Sequence, residues 1–297
     1  MAQREVACLS YRLKKRLEGS FDPISRKTLA LFFPFLQPGQ EQNEAEKDIY
    51  SETLADIVIA KIKARLQEDL RNSRPYPIKK GERYWAGKEP FWGLEIGSWK
   101  PWILLAGDQF RLAAPPDDNL FWQDQVQAVK LACDTAGEDK KRLVYFWAGI
   151  SRKGASQSGD WLKIANDYMW NQHIPLAQML LVRATLAMGI EDATIAAFDS
   201  KYTYWVKRPS MLDNQLKTFI AVPNHPSYPS GHSTIASTSR VILAYFFPQA
   251  QSLWSDLAHE AGWSRIWCGL HFPIDDQVGK ALGEKIGQAA IQAIPND

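Results

Sequence analysis

Cysteine is scarce in this 297-residue chain: Cys8, Cys133 and Cys268 stand far apart and form no CxxC pair. That excludes a disulfide framework and a cysteine-built structural zinc site, and a reducing compartment fits best. Neither sign of charge is in excess, because 35 Lys+Arg oppose 33 Asp+Glu for a formal net charge of +2. There is accordingly no electrostatic argument for nucleic acid or an anionic membrane surface as the main partner. Long apolar runs are missing as well. Leu29 to Leu36 is broken by Pro34, and Met179 to Ile190 carries Arg183, whereas a bilayer span needs roughly 20 apolar residues. No transmembrane segment is expected. From Met1 through Arg16 there is no apolar core followed by a small-residue cleavage site, so no signal peptide is visible. The expectation is a soluble protein, cytoplasmic by default.

What is present is an ordinary globular composition, 45% hydrophobic and 23% charged, long enough for a sizeable core. Helical periodicity dominates. From Asp48 to Asn72, Leu54, Ile57, Val58, Ile62 and Leu66 recur at three and four residues, an amphipathic pattern stopped by Pro75 and Pro77. Further helices are predicted over Leu120 to Cys133, Glu138 to Trp147, Trp161 to Trp170 with Asp160 as N-cap, and Leu176 to about Lys207 with a break at Gly189. The remaining ones are Ser233 to Phe247, Ser252 to Trp263 and about Ile274 to Ile294. Alternating strands bounded by turns are lacking, so residues 1–297 are expected to form one all-α domain, a helical bundle. Residues 73–116 stand apart, with six prolines from Pro75 to Pro116 and four tryptophans, Trp85, Trp92, Trp99 and Trp102. They read as an irregular covering, a rigid strap in preference to a lid.

The chemistry concentrates in residues 190–294. Four of the five histidines lie between His225 and His271. Three short segments accompany them: Lys201 with Arg208-Pro209; Pro229-Ser230-Gly231-His232; and Ser264-Arg265, His271 and Asp275. If one helix runs from Lys201 to Arg208, seven residues bring both cations to one face, where they can converge on an anion. Ser230 and Gly231 open an apolar-periodic run, so a hydroxyl and unpaired N–H groups sit at a helix N-terminus suited to anions. Arg265 adds a third cation, and Ser264 is a candidate cap. Asp275, four residues after His271, can hold one imidazole nitrogen and leave the other free as nucleophile or ligand. His232 is then the proton-transferring imidazole. Each segment alone also reads as a solvated face, a turn or a surface pair. Together they supply every part of a tetrahedral-oxyanion site.

The pattern Lys-x6-Arg-Pro, Pro-Ser-Gly-His and Ser-Arg-x5-His-x3-Asp resembles the signature of the type 2 phosphatidic acid phosphatase and vanadium haloperoxidase superfamily. The resemblance covers about Ile190 to Ile294 closely and Trp99 to Pro116 more loosely; residues 1–90 carry none. It implies that Lys201, Arg208 and Arg265, with Ser230 and the Gly231 amide, hold the equatorial oxygens of phosphate or vanadate. His232 is implied as acid/base. His271, backed by Asp275, is implied as covalent nucleophile for phosphate or axial ligand of vanadate. His225 falls where similar bromoperoxidases carry a histidine near the halide position. Lys207, by contrast, departs from the tryptophan of chloroperoxidase-like members.

Two activities follow from the resemblance: vanadate-dependent oxidation of halide by hydrogen peroxide, or hydrolysis of a phosphate ester through a phosphohistidine with no cofactor required. The partners are small molecules in either case, and a homo-oligomer is compatible with the sequence.

Overall fold

The computed structural model describes residues 49–150 and 156–294. Cys8, the run Leu29 to Leu36, the stretch Met1 to Arg16 and the side chains of Leu54, Ile57 and Val58 lie outside the described part. Among the described residues there are nine α-helices and no strand: α1 (Ile49–Asn72), α2 (Asn119–Asp134), α3 (Glu138–Trp147), α4 (Gln157–Asn171), α5 (Leu176–Tyr204), α6 (Pro209–Leu212), α7 (Gly231–Phe246), α8 (Gln251–Trp267) and α9 (Pro273–Gln292). None of the described helices is long and apolar enough to cross a membrane.

Helix α7 is the hub, packed against α9, α8, α5 and α4. Its close contact with α9 comes from small residues. Gly279, Gly283 and Gly287 recur at four-residue spacing and therefore share one face of α9. A Cβ at these positions would come within 2.7 Å of the Ser230 carbonyl, 2.3 Å of the Thr234 carbonyl and 2.6 Å of Val241. Ser233, Thr234, Ser237 and Thr238 of α7 are buried opposite them. The Thr238 hydroxyl donates to the Gly283 carbonyl (3.0 Å), and Ser233 Oγ donates to Asp276 Oδ1 (2.6 Å). The two backbones thus meet through donors and acceptors that need partners once buried.

Several boundaries differ from the sequence expectation, each for a physical reason. Helix α5 does not break at Gly189, which is there for contact: a Cβ would lie 2.7 Å from Ile242 Cδ1 of α7. The same helix stops at Tyr204, short of Lys207, because Trp205 adopts the left-handed conformation (φ 55°, ψ 41°). That conformation costs a non-glycine residue, and the wholly buried indole is held among Trp85, Phe91 and Tyr202. Helix α4 starts earlier than Asp160, since Ser156 caps it by accepting the Gly159 N–H (3.1 Å), leaving Asp160 buried in the first turn. Helix α8 continues through Ser264, so that residue is no cap; its hydroxyl donates back to Ala261 (2.7 Å).

Residues 73–116 contain only the 3-10 turn Ile96–Ser98 and lie along α5. Asp192 accepts the N–H groups of Trp102, Ile103 and Leu104 at 2.6, 2.8 and 2.9 Å. Seven residues on, hence on the same face, Asp199 takes both Nε and Nη2 of Arg111 (2.6 and 2.7 Å) and the Tyr76 hydroxyl. Gly97 permits this approach, since a Cβ there would sit 2.5 Å from the Asp199 backbone.

Gly283→Ala forces apart the backbones of α7 and α9 and should destabilise the protein by about 1–3 kcal/mol, the usual cost of overpacking. Thermal or urea denaturation measures it, and an unchanged midpoint would refute the close-contact account.

Candidate active site

The site forms where the N-terminus of α7, the ends of α5 and α8, and the turn into α9 meet. Pro273 opens α9, and the Asp275 carboxylate accepts the N–H of Phe272 (3.0 Å), fixing the first turn. The same oxygen, Oδ2, accepts Nδ1–H of His271 (2.8 Å) and the Ser227 hydroxyl, while the Asp275 carbonyl accepts the Ser230 N–H (3.0 Å). One wholly buried carboxylate therefore ties the loop before α7 to the imidazole before α9. Oδ1 of Asp275 is buried with no partner among the described residues. Burial pushes this carboxyl up to about 6, against the lowering effect of the Ser227 hydroxyl and the Lys201 cation.

All three expected cations are buried. Lys201 projects from the last turn of α5 and donates to the carbonyls of Pro226 (3.1 Å), Ser227 and Pro229. Burial, then the nearby Arg208 guanidinium, depresses its ammonium well below the ordinary lysine range. Arg208 does not share a helix with Lys201; α5 has ended, and Arg208 caps the short α6. The left-handed turn at Trp205, rather than helical spacing, brings the two together. Its guanidinium donates to the carbonyls of His225 (Nε, 3.1 Å) and Leu270 (Nη1, 2.9 Å), to His271 Nε2 (Nη1, 3.0 Å) and to His225 Nδ1 (Nη2, 3.1 Å). Arg265 extends from α8, donating to Ser264 Oγ and the Val144 carbonyl (both 2.9 Å).

A guanidinium only donates and a carbonyl only accepts, so the partners settle His271 and His232. His271 carries its proton on Nδ1, toward Asp275, and its Nε2 lone pair faces the Arg208 guanidinium. Nδ1 of His225 lies between the Arg208 guanidinium and the Pro226 carbonyl, both at 3.1 Å. His232, the second residue of α7, donates Nε2–H to the Trp147 carbonyl (3.0 Å), leaving Nδ1 as its lone pair. Burial, reinforced by the cations, holds all three far below the ordinary histidine range. They are neutral at pH 7.

A chamber of about 600 Å3 opens on this floor. Lys201, Gly231, His232, Arg265, His271 and His225 all line it, beside Trp92, Phe198, Ile190 and Leu162. Arg208 and Ser230 sit just behind the lining: the guanidinium touches His271 and His225, and the Ser230 hydroxyl caps α7 by accepting the Ser233 N–H (3.3 Å). Every residue expected from the sequence thus lies at one place, His225 included, with Trp92 and Phe198 against its ring (centroids 5.6 and 5.1 Å). Two contributors were missed. Ser227 lies two residues before the Pro229-Ser230-Gly231-His232 motif, and its spacing of three before Ser230 could have flagged it. Gln157, on α4, donates to the His232 carbonyl (2.6 Å) and lines the chamber; nothing near it in sequence marks it. Among the described residues no group of three or more His, Cys, Asp or Glu is arranged to hold a metal cation.

The neutral histidines have a consequence for stability. Unfolding returns each to an ordinary imidazole, which binds a proton below about pH 6.5. The unfolded chain then holds more protons, so stability is full above about pH 6.5 and lost as pH falls below it. Each histidine adds a slope of up to about 1.4 kcal/mol per pH unit. Asp275 acts oppositely: its raised value makes the folded state bind the extra proton between the ordinary aspartate value of 3.8 and about 6, so its contribution to stability falls as pH rises through that window. Three histidines outweigh one carboxyl. Urea midpoints should drop from pH 7 to pH 5, with a shallower drop in His225→Asn; a flat profile would contradict neutral burial.

Comparison with known proteins places this geometry. Residues 180–297 match the family model described as the PAP2 superfamily. An undecaprenyl-diphosphatase from Sulfolobus acidocaldarius is 30% identical over 138 residues, which cover 44% of this chain and 66% of that protein. A bacterial vanadium-dependent iodoperoxidase has a similar fold at TM-score 0.69 and 19% identity, covering 83% of this chain and 68% of its own. The apo form of a bacterial vanadium-dependent chloroperoxidase gives 0.68 at 16% identity, covering 97% and 83%. Those two likenesses show the fold. The matched segment carries all nine site residues named from the sequence, Lys201 through Asp275, and over that segment the chain is similar to the PAP2 superfamily.

Proposed function

We propose that the chain is a vanadate-dependent haloperoxidase that oxidises halide with hydrogen peroxide. The excess of buried positive charge supports an oxyanion ligand. Lys201, Arg208 and Arg265 are all buried, and Asp275 is the carboxylate near Lys201 and Arg208. Carbonyls satisfy their N–H groups without neutralising their charge, so a bound anion supplies what the site lacks. The donor set suits vanadate and phosphate alike: cations, the α7 N-terminus with the Gly231 amide, and an unprotonated Nε2 on His271.

The observation that carries the haloperoxidase reading is the placement of His225. It lines the chamber between Trp92 and Phe198, its Nδ1 is engaged by Arg208, and it is neutral. A neutral ring beside a guanidinium at an apolar wall suits a weakly hydrated halide, whereas phosphoryl transfer needs no further proton carrier beyond His232 and His271.

In this reading Lys201, Arg208, Arg265 and the Gly231 amide would hold the oxyanion, and His271 Nε2, oriented by Asp275 and Ser227, would donate to it. Bound vanadate supplies the centre at which peroxide is activated. Overall, H2O2, X− and H+ give HOX and H2O. His232 Nδ1 is the lone pair placed to receive and return the proton, and its low proton affinity keeps it a base when substrate arrives. The apolar walls exclude bulk water and strengthen every charge interaction on the floor.

A second reading rests on the 30% identity to a diphosphatase. There His271 Nε2 attacks phosphorus as the bond to the leaving oxygen breaks, that oxygen takes its proton from solvent, and His232 Nδ1 accepts a proton from the water that hydrolyses the phosphohistidine. Purified protein, tested with orthovanadate, bromide and peroxide and then without vanadate on a phosphomonoester, separates the two. No bromide oxidation above free vanadate, with ready ester hydrolysis, would install the phosphatase.

For either chemistry His271→Ala should abolish turnover, while Asp275→Asn and Ser227→Ala should lower it about 10–100-fold by loosening the imidazole. Similar mild losses in all three variants would refute the assigned hierarchy. His225→Ala should depress halide oxidation more than vanadate affinity.

A further inference from the structure

The chamber is far larger than an oxyanion and a halide require, and its wall holds one carboxyl group with no task in the chemistry above. Glu191 of α5 is half-buried, lines the chamber beside Ala187, Ile190, Thr194 and Ile96, and forms no hydrogen bond or ion pair with any described residue. Its neighbours are engaged elsewhere. Asp192 faces the strap and accepts three N–H groups, and Arg65 of α1 is taken up by the carbonyls of Lys100 and Pro101 and by Asp69. Ten residues of one straight helix separate Glu191 from Lys201, about 15 Å of rise. Between them Thr194 and Phe198 line the same wall. The chamber is therefore an apolar corridor with a cationic floor at one end and an unpaired carboxyl at the other.

We propose that Glu191 is a specificity-determining residue that accepts a hydrogen bond from a hydroxyl group at the far end of an extended, otherwise apolar organic substrate. The apolar body fills the corridor, and the end nearer Lys201 meets the reacting centre. A plain hydrocarbon tail would strip water from the carboxyl and return nothing, a loss the corridor's apolar walls do not offset. Burial and the neighbouring Asp192 raise this carboxyl to about 7, the behaviour of a group whose surroundings provide too few donors. Matching of a substrate donor to a buried acceptor discriminates strongly against the analogue that lacks it. The inference rests on the proposed oxyanion site only for what happens at the floor.

Equilibrium dialysis of 4-hydroxybiphenyl against 4-methylbiphenyl tests it, with inorganic phosphate binding measured in parallel. Wild-type protein should bind the hydroxylated probe about tenfold more tightly, the effect of one hydrogen bond to a carboxyl group. Glu191→Leu should bring that ratio to about one, and the isosteric Glu191→Gln should leave part of it, with phosphate binding unchanged in both. A ratio near one in the wild type, no binding of either probe, or a ratio that survives Glu191→Leu overturns the assignment. Failure to bind phosphate while the probes still discriminate would instead overturn the oxyanion site and leave Glu191 in place.

Discussion

Burying three cations, two of them beside the same buried carboxylate, is the constraint to which much else in this molecule answers. An isolated buried charge is costly, and cations held by neutral carbonyls remain charges in a poorly polarisable place. The chain meets this by spending backbone acceptors: the Pro226, Ser227 and Pro229 carbonyls on Lys201, those of His225 and Leu270 on Arg208, and that of Val144 on Arg265. All but the last are free to turn inward because their segments are loop, where no helical N–H claims them; the Val144 carbonyl, near the end of α3, also accepts the Ala148 N–H (2.9 Å). Asp275 then fixes the loop and both following helices through its three accepted hydrogen bonds and its own carbonyl. Irregular backbone at the site is thus a condition for charge burial.

Helix α5 divides its work by face. Asp192 and Asp199 lock residues 73–116 on one side, while Glu191, Thr194, Phe198 and Lys201 present the other to the chamber. Trp92 belongs to both arrangements: its carbonyl accepts the Tyr202 hydroxyl, and its indole forms chamber wall against His225. The strap is therefore structural and also part of the site. That combination explains why a segment so rich in proline and tryptophan is held by buried carboxylates instead of by a regular element, which its prolines forbid.

The all-α class and most helices were legible because periodicity reports one buried face, and the site was legible because its residues lie in three compact motifs. What escaped the sequence depended on contacts between distant segments. Gly189 looks like a helix break until Ile242 is seen against it. The stop at Trp205 has no local signal, since its left-handed turn is stabilised by indole burial among residues more than a hundred positions away. Lys201 and Arg208 were expected to converge by helical spacing, and they converge through that turn instead. Gln157 reaches His232 across 75 positions of sequence, a distance over which neither motif nor period carries information. The glycine face of α9 was visible as spacing, but its meaning required the backbone of α7 beside it.

The three imidazoles show how one charge environment produces three distinct groups. All are neutral for the same cause, burial among cations, yet each has a different nitrogen occupied. A carboxylate accepts Nδ1–H of His271 and leaves Nε2 unprotonated; a main-chain carbonyl accepts Nε2–H of His232 and leaves Nδ1 free; Nδ1 of His225 lies between the Arg208 guanidinium and the Pro226 carbonyl. Of the three only His271 has an anionic partner, and an imidazole so paired is the strongest donor of electron density among them. The proposed order of nucleophile or ligand, proton carrier and wall residue follows from what lies behind each ring. Exchanging Asp275 for a neutral acceptor would loosen His271 and remove the anionic partner that distinguishes it from His232, so the proposed division of labour depends on the partners of the histidines and not on their positions alone.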